Sequence, residues 1–154
     1  MKVVAVTDTG PIIHLAEIDS LALLSLVDRL FVPEAVYGEL EAGGVPEGID
    51  EIDYVVVNVD SERIGDLDSG ESEALTLAMR RDAVLSTDDL EARERADGRG
   101  VEVHGSIGII ALGYARGRLD RDDAASLMRS LQRETSLFVT DAVVERGIEM
   151  RDDR

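Results

Sequence analysis

The sequence predicts an α/β protein with three layers, α/β/α, a mostly parallel central sheet and a helical C-terminus. Three observations carry that prediction. Apolar runs of strand length alternate with helix-length amphipathic segments, the pattern of β–α–β units. The first run, Lys2 to Thr7 (KVVAVT), is apolar almost throughout, as a strand buried on both faces requires. After the last strand signal the remaining chain shows only helical segments.

The elements follow in order. Lys2–Thr7 is the first strand. Pro11–Ile18 is a short helix, with Thr9 as its cap and proline in its first turn. Ser20–Val27 is a leucine-rich helix, and Leu30–Val32 a short strand. Pro33–Glu41 (PEAVYGELE) opens a helix with proline in its permitted position. Ala42–Gly48 (AGGVPEG) is a loop by composition. Tyr54–Val59 is a strand. Ser69–Arg81 is a capped helix whose last turn is basic, as the helix dipole favours. Ala83–Thr87 (AVLST) is a strand, Asp88–Gly98 a charged helix and Val101–Val103 a short strand. Ser106–Arg116, Asp120–Gln132 and Thr140–Glu149 are helices. With no repeat or linker, residues 1–150 read as a single domain.

Composition bounds the function. The chain has 154 residues, 44% of them apolar, enough for a real core. It has no apolar run of about 18 residues and no signal-peptide pattern, so no membrane association is expected. The absence of cysteine excludes disulfides and cysteine-based zinc sites, and fits a cytoplasmic protein. Acids outnumber bases 33 to 16, a net charge of −17, and Lys2 is the only lysine. This resembles proteins of halophilic cells. The balance opposes nucleic-acid binding at ordinary salt. In molar salt, where the Debye length is about 3 Å, local arginines and bound metal outweigh the net charge.

With so many acids, only their placement informs. Two strands end in acids: KVVAVT runs into Asp8, and AVLST into Asp88 and Asp89. Ligands of open parallel sheets bind beyond such strand ends. In PEAVYGEL, Glu39 follows Ala35 by four and Val36 by three, so it faces the apolar stripe. In GESEALTLA, Glu71, Ala74, Leu75 and Ala78 share one face, and Glu73 stands beside it. Gathering Asp8, Glu39, Glu71 and Asp88 or Asp89 would oppose their ionisation, and a divalent cation would remove that cost. All-oxygen ligation selects Mg²⁺ or Mn²⁺, an apparatus suited to phosphodiester hydrolysis.

Four segments in this order, VTDTGPIIHLAEI, LFVPEAVYGEL, LDSGESEALTLA and VLSTDDLEARERADGRGVEVHGSIGII, resemble PIN-domain ribonucleases of the VapC toxin type. The closer likeness is to the PIN subgroup opening with Asp-Thr/Ser-Gly/Ser-Pro, over about residues 1–118. The resemblance implies a metal-dependent endoribonuclease, the toxin of a toxin–antitoxin pair, working as a homodimer restrained by a small antitoxin protein. It implies catalytic and metal roles for Asp8, Glu39, Glu71 and Asp89 or Asp88. It adds Glu73 as a further metal ligand and Thr9 and Thr87 as supporting residues. The subgroup's arginine after the fourth acid is absent, Leu90 standing there and Arg93 nearest. Arg80, Arg81, Arg93, Arg95, Arg116 and Arg118 are the candidate RNA contacts. His14 reads as a packed histidine, His104 as a loop residue, and Gly105–Gly108 (GSIG) as ordinary turn chemistry.

Other classes fit less well. A receiver-type signalling domain needs a lysine near a late strand end, and a haloacid-dehalogenase phosphatase needs Asp-x-Asp after the first strand; neither is present. A catalytically silent PIN-fold module that sequesters RNA or an antitoxin is the alternative.

Overall fold

The computed structural model describes residues 2–135, 137 and 141–152. Five strands, β1 (Val4–Thr7), β2 (Arg29–Pro33), β3 (Val55–Val57), β4 (Val84–Ser86) and β5 (Val103–His104), form one sheet in the order β3-β2-β1-β4-β5. Every pairing is parallel, and Val6 of β1 lies level with both Phe31 and Leu85. The chain builds outward from β1 to β3 on one side, then crosses to β4 on the other. The strand order therefore reverses between β1 and β4, the topological switch point where such folds open a crevice.

Helices α1 (Thr9–Glu17), α2 (Glu34–Gly43), α3 (Ser69–Arg81), α4 (Leu90–Gly98), α5 (Ser106–Ala115), α6 (Arg121–Glu134) and α7 (Asp141–Asp152) surround the sheet. Strand alternation sorts the core into two clusters. Ala5 and Leu30 pack with Ile12, Leu15, Ile110, Met128 and Leu131 beneath α1, α5 and α6. Val6, Phe31 and Leu85 pack on the opposite face with Leu75, Ala78, Ala92 and Ala96 of α3 and α4. No helix among the described residues is long and apolar enough to cross a membrane.

The predicted α/β architecture, parallel sheet and helical C-terminal region are observed. Some details differ. The segment read as a helix at Ser20–Val27 is a 3₁₀ helix over Leu21–Leu26. Its leucines at 21, 23, 24 and 26 are all buried, a wider apolar surface than one α-helical stripe presents. Asp8, not Thr9, caps α1, because its carboxylate reaches the Thr9 N–H at 2.8 Å. His104 ends β5 rather than lying in a loop. Of the predicted last helix, Thr140 lies outside the described residues.

Candidate functional site

Five carboxylates gather beyond the carboxyl ends of β1 and β4 on the α3/α4 side. Asp8 is the innermost, only 5% exposed. It ends β1 and faces the way Val6 does. One of its oxygens accepts the Thr9 N–H; the other accepts the Thr87 hydroxyl at 3.0 Å. That hydroxyl also accepts the Asp89 N–H at 3.2 Å. Thr87 therefore ties the ends of β1 and β4 together across the switch point. Burial, with the charges of Asp68 and Asp89, pushes the Asp8 carboxyl up to about 6.

Glu71 stands in the first turn of α3, half-buried, on the face that continues into Ala74, Leu75 and Ala78. Burial pushes its carboxyl up to about 8, reinforced by a hydrogen bond to Asp68 and by the charges of Asp68, Asp89 and Asp8. Glu39 is exposed rather than turned into the apolar stripe. Its helical position beside Val36 holds the backbone near the core, but the long side chain swings across to α3. There it accepts the Gly70 N–H and the Thr9 hydroxyl, and its carboxyl is raised by desolvation and by Asp68 and Asp8. A Cβ on residue 70 would lie 2.5 Å from Glu39 Oε1, so only glycine permits this approach.

Asp88 and Asp89 part company. Asp89 caps α4, its Oδ2 accepting the Ala92 N–H at 2.9 Å, and its charge acts on Asp8 and Glu71. Asp88 points to the other face of the sheet. Its Oδ1 accepts the Ser106 N–H at 2.6 Å, and its Oδ2 meets the Ser106 hydroxyl at 2.5 Å and His14 Nδ1 at 2.8 Å. Its side chain is only 8% exposed and its oxygens are engaged between α1 and α5. Glu73 also lies apart: its carboxylate accepts the Ala35 N–H at 3.3 Å and so caps the start of α2. His14 is the packed histidine of the sequence reading, with Asp88 as its partner.

Asp68 is the acid that sequence reasoning missed. It caps α3, accepting the Glu71 N–H at 2.8 Å, and its charge acts on Asp8, Glu39 and Glu71. The signal was present in Asp68-Ser69-Gly70-Glu71, whose spacing is that of a capping box with Asp in the cap.

The donor set is all oxygen and strongly self-repelling, which suits a hard divalent cation. Among the described residues, no three acidic or histidine side chains stand close enough to enclose a metal as placed.

Fold and site together define a parallel α/β protein with an acidic centre at its switch point. The chain belongs to the PIN-domain family: the profile of DUF3368, described as a PIN domain, matches residues 4–152. PIN domains are generally nucleases and typically bind RNA. The fold is similar to that of a PilT N-terminus domain protein, SSO1118, from the hyperthermophilic archaeon Sulfolobus solfataricus P2. The two chains are 18% identical, with a TM-score of 0.58 over 70% of this chain and 91% of that one. No curated protein matches the chain significantly.

Proposed function

We propose that this protein is a Mg²⁺- or Mn²⁺-dependent endoribonuclease. One observation carries the reading: at the sheet's switch point burial raises the carboxyls of Asp8, Glu39 and Glu71, and the neighbouring acids, Asp68 foremost, add to the shift. Such a cluster costs stability unless a cation neutralises it. One or two of Asp8, Glu71 and Asp89 would hold that cation directly and the rest through its water, with Asp68 and Glu39 at its margin. When bound, it supplies charge neutralisation at a phosphodiester and a more acidic water.

The chain's own groups prepare the site. The Thr87 and Thr9 donors fix the Asp8 carboxylate, so it need not reorganise when a ligand arrives. The Asp89 N–H, held by Thr87, sets the start of α4 and with it the position of the Asp89 carboxylate. Asp88 and Glu73 are committed to structure and lie outside the metal set we propose. A toxin role, a homodimer and a small antitoxin protein across the acidic pocket complete the proposal, as does operation in molar salt.

One observation favours a second reading, a silent binding module. Leu90, directly after Asp89, is 70% exposed where the resembling subgroup carries arginine. The deciding experiment is cleavage of labelled single-stranded RNA in molar KCl with Mn²⁺ or Mg²⁺. Cleavage that EDTA and Asp8→Asn both abolish supports the nuclease. RNA binding without turnover under every metal condition supports the module.

A further inference from the structure

The acidic pocket raises a problem for any phosphate ligand. A polyanion must approach a chain of net charge −17 beside a cluster of carboxylates. Some cation must stand at the mouth. The helix geometry removes most candidates. Helices α3 and α5 both begin at the acidic end of the sheet, α3 with Asp68 and Glu71, α5 with Ser106 against Asp88. Both then run toward the opposite end. Arg80 and Arg81 close α3, and Arg116 and Arg118 follow α5, so all four lie more than two helical turns away. Arg80 is spent on the Asp60 carbonyl and Arg81 lies over the Phe31 ring. Arg95 is two residues further along α4 than Arg93 and so on another side of the helix, packed over Gly65 with Glu91 as its ion-pair partner.

Arg93 is different. It lies in the first turns of α4, four residues after Asp89, and is exposed. Its Nη1 donates to the Thr87 carbonyl at 3.3 Å, at the residue whose hydroxyl holds Asp8. The guanidinium rests over Gly105. A Cβ there would stand 2.6 Å from Arg93 Nη1 and 2.7 Å from Asp88 Oδ1. The seat therefore exists only because residue 105 lacks a side chain. Although two aspartates flank the strand end, Arg93 makes no ion pair with a described residue. One weak bond to a carbonyl uses one of five donors and leaves the others open to a ligand.

We propose that Arg93 is a substrate-positioning residue, its guanidinium taking an RNA backbone phosphate beside the one held at the acidic centre. The inference rests on the nuclease reading for the identity of the ligand. Arginine suits the task because its planar fork meets phosphate oxygens through two parallel hydrogen bonds and stays charged. The Thr87 carbonyl and the bare Gly105 backbone give the guanidinium a resting place beside the strand end.

The test is anisotropy of fluorescent single-stranded RNA in Mg²⁺ across a KCl series. The protein carries Asp8→Asn to stop turnover, alone or with Arg93→Gln, Arg93→Lys or Arg118→Gln. Arg93→Gln is expected to weaken binding about tenfold, the loss of one charge-assisted contact. It should also flatten the salt dependence by about 0.7, one single-strand phosphate. Arg93→Lys should restore the salt slope but not the full affinity. Arg118→Gln should change neither. In the otherwise wild-type enzyme, Arg93→Gln should raise KM more than it lowers kcat and leave the Mn²⁺-induced rise in Tm unchanged. A merely structural brace on Thr87 would lower Tm and leave the salt slope alone, and that result overturns the proposal. RNA binding unaffected by Arg93→Gln, or absent from every variant, overturns it too. If Arg93→Gln weakens RNA binding but wild type never cleaves RNA, the nuclease reading fails and the contact stands.

Discussion

The two faces of the sheet treat adjacent acids in opposite ways. On the α1/α5 side, Asp88 is enclosed and matched by the Ser106 N–H, the Ser106 hydroxyl and His14. On the α3/α4 side, Asp89 makes one capping bond to Ala92 and otherwise faces Asp8 and Glu71 across a field of like charge. One residue of displacement decides which fate an acid meets, because strand side chains alternate. The α1/α5 side satisfies its charges and holds the fold. The α3/α4 side gives its carboxylates hydrogen-bond donors but gathers their like charges, the feature on which the proposed cation site rests.

The contrast can be broken at either side. The largest effect is expected at the innermost acid. Asp8→Asn should cut RNA hydrolysis by about 10³-fold or more, what several kcal/mol of transition-state stabilisation represents, while thermal unfolding shows Tm unchanged or raised. Next comes the enclosed acid. Asp88→Ala should cost about 3 kcal/mol in denaturant unfolding, because it leaves the Ser106 N–H and His14 without their acceptor. Asp89→Ala should cost about 1 kcal/mol, the loss of a helix cap, partly offset by relief of repulsion.

The pH response should separate the faces as well. Asp8 and Glu71 bind protons more tightly folded than unfolded, so the native state holds more protons between their ordinary and raised values. Stability of the metal-free protein should therefore fall as pH rises from about 4 through about 6 for Asp8, and on through about 8 for Glu71. The penalty disappears as pH drops below both windows. A Tm-against-pH series in EDTA should show this decline, Mg²⁺ should flatten it, and Glu71→Gln should remove its upper part. A flat EDTA profile would contradict the account of the cluster. The smallest effect is expected at Glu73. Glu73→Gln should cost about 1 kcal/mol or less and leave the RNA cleavage rate unaffected.

Much of this was legible in the sequence. The strands, the order of helices and the strand-end acids all follow from hydrophobic period and from where it breaks. Asp8 and Glu71 declare themselves because each extends an apolar pattern with a carboxylate. Three things did not show. Asp68 reads as an ordinary helix cap, and only the folded chain reveals that its charge also bears on Asp8. Glu39 is close to the core by helical position, yet its side chain is long enough to leave that face and cap Gly70. The choice between Asp88 and Asp89 needs the register of β4 against β1. Val6 lies level with Leu85, so Asp8 is level with Thr87 and Asp88 falls on the opposite face. A sequence yields alternation within a strand readily, but register between strands is set by long-range packing.

The most direct measurement is the Mn²⁺-induced shift in melting temperature, compared across wild type, Asp8→Asn, Asp88→Asn and Asp89→Asn. The account predicts a clear upward shift in wild type, nearly lost in Asp8→Asn and Asp89→Asn. In Asp88→Asn the shift should persist, on a lower starting temperature. A shift abolished by Asp88→Asn and kept by Asp89→Asn would contradict it, placing the cation on the wrong face of the sheet.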